Sequence, residues 1–121
     1  MRTVLIFVGL LAVCVISCGG ERDVTGPGRE FVEALVRGDY TAAVAKFDAT
    51  MKGVMPEAKL AEAWGSLLQQ VGSFQRISSV SQKKEQGYDV AYVLCAFEKT
   101  AVNVKVVYND KMEVSGLWFV P

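Results

Sequence analysis

The sequence has no histidine and few cysteines, namely Cys14, Cys18 and Cys95. Without an imidazole, the usual Ser-His-Asp and Cys-His catalytic arrangements are excluded, and so are zinc and iron sites that use histidine ligands. Too few thiols remain for an all-cysteine zinc or iron–sulfur site. The chain also lacks a glycine-rich phosphate loop between a strand and a helix. We therefore assign no catalytic residue, no metal ligand and no cofactor.

An excess of charge of either sign is also missing. The 13 basic residues balance the 13 acidic residues, so the formal net charge is zero. Proteins that bind nucleic acid through its phosphates need a surplus of Lys and Arg, and the pair Lys83-Lys84 is too short to form a basic patch. We expect no nucleic-acid partner.

The N-terminal residues have the order of a secretory signal. Arg2 supplies a positive charge, residues 4–16 form an almost unbroken apolar run, and small residues follow. The apolar run is shorter than the roughly twenty residues that span a bilayer. It ends in Val15-Ile16-Ser17-Cys18, which resembles the lipobox of bacterial lipoproteins. This resemblance implies cleavage between Ser17 and Cys18 and attachment of a diacylglycerol to the thiol of Cys18.

Three segments follow from this assignment. We predict a signal peptide at residues 1–17, a flexible tether rich in glycine and charge at residues 18–28, and one domain at residues 29–121. The lipid on Cys18 would anchor the chain in the cell membrane or the outer membrane, facing outside the cytoplasm. With Cys14 removed and Cys18 acylated, Cys95 has no disulfide partner, and its apolar surroundings predict a buried thiol.

The first half of the domain has the apolar spacing of helices. One helix would end at Gly38, and Asp39 would cap a second short helix. Residues 50–54 read as a break. A third helix would begin at Pro56 and end at Gly72, and its apolar stripe comprises Leu60, Ala63, Trp64, Leu67, Leu68 and Val71.

The second half has the composition of strands. Residues 73–81, 88–98, 102–108 and 112–120 are predicted strands, separated by a polar turn at residues 83–87 and a tight turn at residues 109–111. The strand at residues 88–98 is apolar on both faces. Helices followed by strands indicate an α+β domain, with the helices packed on a curved four-stranded antiparallel meander.

This pattern resembles a small bacterial domain of unknown function that occurs in secreted lipoproteins and sometimes precedes α/β-hydrolases. The resemblance implies the cone-shaped, cystatin-like fold of nuclear transport factor two, and it brings no catalytic residues. It spans most of residues 31–121 and depends on Gly38-Asp39-Tyr40, Phe47-Asp48, Met51, Pro56, Leu60, Trp64, Gly72, Phe74, Phe97-Glu98, Val106-Val107-Tyr108, Gly116-Leu117-Trp118-Phe119 and Pro121.

A cone with a helical lid can leave an apolar pocket for a small apolar ligand, or its large side chains can fill the core. The last strand must also turn one of Leu117, Trp118 and Phe119 outward, which suggests a homodimer formed sheet to sheet. The candidate pocket or interface residues are Tyr40, Met51, Trp64, Tyr92, Phe97 and Trp118.

Two functions fit these features. The first is a membrane-anchored, non-enzymatic module that binds a ligand or a protein. The second is a small cavity enzyme, since the implied fold also hosts ketosteroid isomerase, which uses an aspartate base and a tyrosine donor. Its candidates here would be Tyr40, Asp48, Tyr92 and Glu98, although such carboxylates can also cap helices or end strands in solvent.

Overall fold

Helices come before strands in the part of the chain that the computed structural model describes, residues 22–121. The strands form an antiparallel sheet with the order β1-β2-β3-β4. The predicted α+β class, with helices followed by a four-stranded meander, is confirmed. The elements are α1 (Thr25–Val36), α2 (Tyr40–Ala45), α3 (Ala49–Val54), α4 (Glu57–Val71), β1 (Phe74–Glu85), β2 (Tyr88–Phe97), β3 (Ala101–Tyr108) and β4 (Val114–Val120).

The predicted signal peptide at residues 1–17 and the predicted lipid acceptor Cys18 lie outside the described residues. Across residues 22–121, no helix has both the length and the apolar character needed to cross a bilayer.

The domain begins earlier than the sequence indicated. Val24 is fully buried, and α1 starts at Thr25. Gly28 lies so close to the sheet that a Cβ added to it would meet the Cβ of Ala91 at 2.6 Å. The prediction that the tether extends to Gly28 is therefore wrong. Gly28 permits close packing of a helix on a strand, a use of glycine that composition cannot distinguish from flexibility.

A short helix occupies the segment that was predicted to be a break. In α3, Asp48 Oδ1 accepts a hydrogen bond from the Met51 backbone N–H at 2.8 Å, and Met51 is buried. One buried side chain in six residues gives too weak a periodicity to be recognised. The cap and the contact of Met51 with the core stabilise this helix instead.

The first hairpin is longer and tighter than predicted. Residues 83–85 belong to β1, and the turn is reduced to Gln86 and Gly87, whose φ angles of 52° and 86° suit a two-residue hairpin. The last strand begins at Val114 instead of Met112, because Asn109 Oδ1 accepts hydrogen bonds from the backbone N–H groups of Lys111 and Glu113. β2 ends at Phe97, one residue before its predicted end.

The two faces of the sheet differ in what covers them. The helices pack on the inner face, where the Trp64 ring of α4 lies 5.9 Å from the Phe97 ring and 6.0 Å from the Phe119 ring, centroid to centroid. Tyr92, Lys105 and Trp118 lie on the opposite side, the outer face. Among the described residues, no helix covers the outer face, which is where the candidate site lies.

Candidate functional site

A lysine lies between two aromatic rings on the outer face. Tyr92 on β2 is paired with Lys105 on β3, and Lys105 is paired with Trp118 on β4. Lys105 Nζ lies 5.9 Å from the centroid of the Tyr92 ring and 5.4 Å from that of the Trp118 ring. Each such cation–π contact contributes about 0.5–1 kcal/mol at an exposed site. Three neighbouring strands therefore hold these side chains in a preformed row.

Glu85, near the end of β1, connects to the same row. Its Oε1 lies 3.2 Å from Lys105 Nζ, and its other carboxylate oxygen accepts a hydrogen bond from the Tyr92 hydroxyl. The hydrogen bond between the Tyr92 hydroxyl and the Glu85 carboxylate lowers the pKa of Glu85 and raises the pKa of Tyr92. The hydrogen bond to Glu85 likewise raises the pKa of Lys105. At neutral pH the outer face therefore presents an ionised carboxylate, a charged lysine and a neutral phenol.

Trp118 is the most prominent apolar group on this face. Its side chain is 54% exposed, although tryptophan is usually well covered in a folded protein. Two further exposed side chains, Tyr88 at 46% and Val120 at 40%, lie on the same side of the sheet. Exposed aromatic and aliphatic groups that are clustered and bordered by polar residues are typical of interaction surfaces.

A shallow groove of about 470 Å³ runs from Trp118 to the rim of the sheet. Asp48 and Thr50 of the α3 region form one side of the groove, and the outer face forms the other. Both charge signs line it, through Asp48, Glu85 and Lys105. The groove therefore suits a partner that is itself mixed in charge.

The six candidate pocket or interface residues do not form one site. Met51, Trp64 and Phe97 are buried in the hydrophobic core, where the Trp64 and Phe97 rings are in contact. Tyr40 is partly buried and packs against the same core. Tyr92 and Trp118 lie on the outer face instead, so only these two contribute to the candidate interface.

The four residues considered for acid–base catalysis are also dispersed. Asp48 caps α3, and Tyr92 is bonded to Glu85. Glu98 Oε1 accepts hydrogen bonds from the Ser73 backbone N–H at 3.1 Å and the Ser73 hydroxyl at 3.2 Å, and the backbone bond lowers the pKa of Glu98. Tyr40 lies at the start of α2. Asp48, Tyr92 and Glu98 therefore each make a hydrogen bond that stabilises the local structure.

Sequence reasoning missed an ion pair between a buried aspartate at the start of β2 and an exposed lysine. Asp89 is only 4% exposed, and its Oδ1 lies 3.0 Å from Lys84 Nζ on the neighbouring strand. Asp89 is also paired with Tyr108, whose pKa is raised by burial. Lys84 and Glu85 read as turn residues because β1 is polar, so no local signal indicated their cross-strand partners.

The thiol of Cys95 is inert. Cys95 is fully buried on the inner face, and burial raises its pKa to about 11, so little thiolate forms at neutral pH. Residues 22–121 contain no group of three His, Cys, Asp or Glu side chains arranged to hold a metal ion.

One comparison with known proteins identifies a family. The family described as "Protein of unknown function (DUF3887)" matches residues 28–117 of this chain. The match covers well over half of the sequence, so the chain belongs to the DUF3887 family, and the expected resemblance to a domain of unknown function is confirmed at that level. No curated protein and no solved structure matches the chain.

Proposed function

We propose that this DUF3887 protein is a lipid-anchored, non-enzymatic interaction module that works outside the cytoplasm and pairs with a second copy through the outer face of its sheet. The lipobox resemblance at Cys18 supports the anchor. The preformed row of Tyr92, Lys105 and the exposed Trp118, on a sheet face that no described helix covers, is the observation that carries the interaction.

The outer face has a suitable size for pairing. Four strands about 4.8 Å apart, with a length of about 33 Å for a ten-residue strand such as β2, give a projected area of roughly 600 Å². Side-chain relief adds to that area. Standard interfaces bury about 600–1,000 Å² on each partner, so one sheet face lies at the lower end of this range.

The charges of the outer face are compatible with pairing between the outer faces of two copies. In a two-fold symmetric dimer, the same patch occurs on both copies, and each group meets a group from the partner's equivalent patch. A patch of a single sign would repel its copy, but the outer face carries Glu85 together with Lys83 and Lys105. The exposed ring of Trp118 would supply the apolar contact that such an interface needs.

A shared membrane would favour this pairing. Acyl chains at Cys18 would confine all copies to one surface, which raises their effective concentration and lets a weak contact form a dimer. The pairing therefore need not be tight in solution to be populated on a membrane.

The pairing is tested with the full-length, processed protein in detergent micelles and in vesicles. Sedimentation in micelles and energy transfer between labelled copies in vesicles report the oligomeric state. Trp118→Ser should lower association at least several-fold. Val54→Ser is the matched control, because Val54 is a similarly exposed apolar side chain at the end of α3 and is not part of the outer face. Equal association of the two variants and the parent protein, or a monomeric parent, would refute the pairing.

The anchor is tested separately with Cys18→Ala. This variant should accumulate as unprocessed precursor without acyl label, whereas Cys14→Ala should be processed and acylated normally. Normal processing of the Cys18 variant, or a mature protein whose Cys18 carries no acyl chain in mass spectrometry, would refute the anchor.

A second groove supports a second candidate function, binding of a small apolar ligand. It has a volume of about 270 Å³, lies beside Pro121, and includes the apolar side chains of Leu67, Val71, Val102 and Phe119. Ligand pockets usually have about 300–1,000 Å³, so it would accept only a small molecule. An apolar fluorescent dye should bind the parent protein more tightly than the variant Leu67→Gln, and equal binding would remove this candidate.

A further inference from the structure

The side-chain amide of Gln82 holds the start of the described chain against β1. Gln82 Oε1 accepts a hydrogen bond from the Val24 backbone N–H at 2.9 Å, and Gln82 Nε2 donates to the Arg22 carbonyl oxygen at 2.9 Å. These two bonds satisfy both sides of the amide, much as a neighbouring strand would satisfy a backbone peptide. We call this pair of bonds the Gln82 clasp.

Two other contacts reinforce the clasp. Val24 is fully buried, which contributes about 1.5–3 kcal/mol for a side chain of this kind. Asp23 Oδ1 accepts hydrogen bonds from both the backbone N–H and the hydroxyl of Thr25, at the first residue of α1. The chain is therefore fixed to the domain from Arg22 onward.

The remaining connection to the proposed lipid is short. Cys18 and Arg22 are separated by four residue steps, and a fully extended chain covers at most about 3.6 Å per step, or about 14 Å in all. If Cys18 is acylated, as the proposed function requires, the Gln82 clasp lies within about 14 Å of the bilayer surface. A tether that extended to Gly28 would have removed this restriction.

The position of Gln82 along β1 then limits how the sheet can be oriented. Gln82 is eight residues from Phe74 at one end of β1, about 26 Å at 3.3 Å per residue, but only four residues from the turn at Gln86, about 13 Å. If β1 stood perpendicular to the membrane with its Phe74 end toward the lipid, that end would have to enter the bilayer by more than 10 Å. The Gln86 end fits within the reach of the tether.

The end of the sheet that contains Gln86 is polar and carries an exposed tyrosine, Tyr88. The turn at Gln86 and Gly87 and the turn at residues 109–113 lie side by side there and enclose a groove of about 420 Å³. We call this the turn end of the sheet. Polar and charged side chains line the groove together with Tyr88, and tyrosine favours the boundary between membrane and water.

We propose that the turn end of the sheet faces the phospholipid headgroups and that the turn at residues 98–100 points away from the membrane. This inference rests on the proposed acylation of Cys18. In this orientation the strands run roughly perpendicular to the membrane. The outer face, which carries the proposed interface, is then directed parallel to the membrane surface. A second copy anchored in the same membrane could meet it there.

The orientation is tested with the full-length, acylated protein in phosphatidylcholine vesicles that contain a quencher on the lipid headgroup. A fluorophore is attached to a new cysteine in Gln86→Cys or in Lys99→Cys, both at exposed positions. Cys95 is buried and Cys18 would carry lipid, so the new thiol takes the label. We expect quenching several-fold stronger at position 86 than at position 99.

A second pair of variants tests the clasp itself. Gln82→Ala should loosen residues 22–24 and reduce the difference in quenching between the two labels. Gln75→Ala, at an exposed position of the same strand, is the matched control and should leave the difference unchanged. Inserting ten Gly and Ser residues between Gly20 and Glu21 should abolish the difference.

The possible failures are distinguishable by mass spectrometry of the same sample. Absence of the acyl chain from Cys18 would overturn the anchor and the orientation together. An acylated protein with equal quenching at both positions, or with stronger quenching at position 99, would overturn the orientation alone. Equal behaviour of Gln82→Ala and Gln75→Ala would show that the clasp does not set the orientation.

Discussion

The indole of Trp118 lies across the backbone of Gly116, two residues earlier on β4. A Cβ at position 116 would meet Cζ3 of the indole at 2.5 Å and the next ring carbon at 2.8 Å. An aromatic ring laid over a strand glycine shields the backbone that the missing side chain would otherwise leave open. Gly116 therefore positions the Trp118 ring, which is contacted by Lys105 on the outer face.

Gly116→Ala should displace this ring and weaken association of the full-length protein several-fold. The added methyl group occupies the space of the indole, so Trp118 must turn away from Lys105. Acrylamide should then quench a larger fraction of the tryptophan fluorescence, since Trp64 stays buried. Gly65→Ala, which meets nothing within 4 Å on α4, is the control and should change neither reading. Unchanged quenching in Gly116→Ala would contradict the role of Gly116.

Gly28→Ala should destabilise the domain by about 1–3 kcal/mol, the usual cost of overpacking a tight contact. The new Cβ would lie 2.6 Å from the Cβ of Ala91, so α1 must move away from the sheet. Gly26→Ala is the matched control, since nothing lies within 4 Å of a Cβ there. Urea unfolding of both variants measures the effect, and equal stability would show that residues 24–28 do not pack as described.

Cys95 should resist alkylation in the folded protein. Burial raises the pKa of its thiol to about 11, and the side chain is fully covered. Iodoacetamide at pH 8, followed by mass spectrometry, should modify Cys95 only after urea is added. Rapid modification of the native protein would show that β2 opens or that the inner face is accessible to solvent.

The link between Glu85 and Tyr92 should appear in the pH dependence of stability. The Tyr92 hydrogen bond lowers the pKa of Glu85 below its ordinary value of 4.5 in the folded protein. A carboxyl group of this kind stabilises the fold above its unfolded pKa, and this contribution is lost as the pH falls through the folded pKa. The stability advantage of the parent protein over Glu85→Gln should therefore shrink below about pH 4.5.

The Tyr92→Phe variant tests whether this effect comes from the hydrogen bond. Its stability should lose part of the same acid dependence, because the phenol is the largest cause of the Glu85 shift. Urea unfolding at pH 7 and pH 3 for both single variants and the double variant measures the coupling. Additive effects of the two substitutions would contradict a shared bond.

Local pattern was sufficient to place the helices before the strands and to predict several individual residues. Asp39 caps α2 by accepting a hydrogen bond from the Ala42 backbone N–H at 3.1 Å, and Gly72, with a φ angle of 86°, ends α4 as predicted. The buried positions Leu60, Trp64 and Val71 lie on the predicted apolar stripe. These features depend on residues a few positions apart, which a single sequence displays directly.

The arrangement of the candidate site could not be predicted from local pattern. The sequence indicated that Trp118 or one of its neighbours must face outward, but it did not indicate that Lys105 would lie between Trp118 and Tyr92. That arrangement depends on the register of three strands, and a shift of one residue would turn each side chain to the other face. The short helix α3 escaped recognition for a related reason, because its stability comes from Met51 contacting distant parts of the chain.

By itself, the sequence determined the α+β class, the inert character of Cys95 and the resemblance of residues 15–18 to a lipobox, because composition and short spacings encode these properties. Only the tertiary structure decided where the domain begins and which face is exposed. The Gln82 clasp joins residues 58 positions apart, and the outer face combines side chains from different strands. Such contacts join residues that are far apart in the sequence, so the periodicity of the sequence does not predict them.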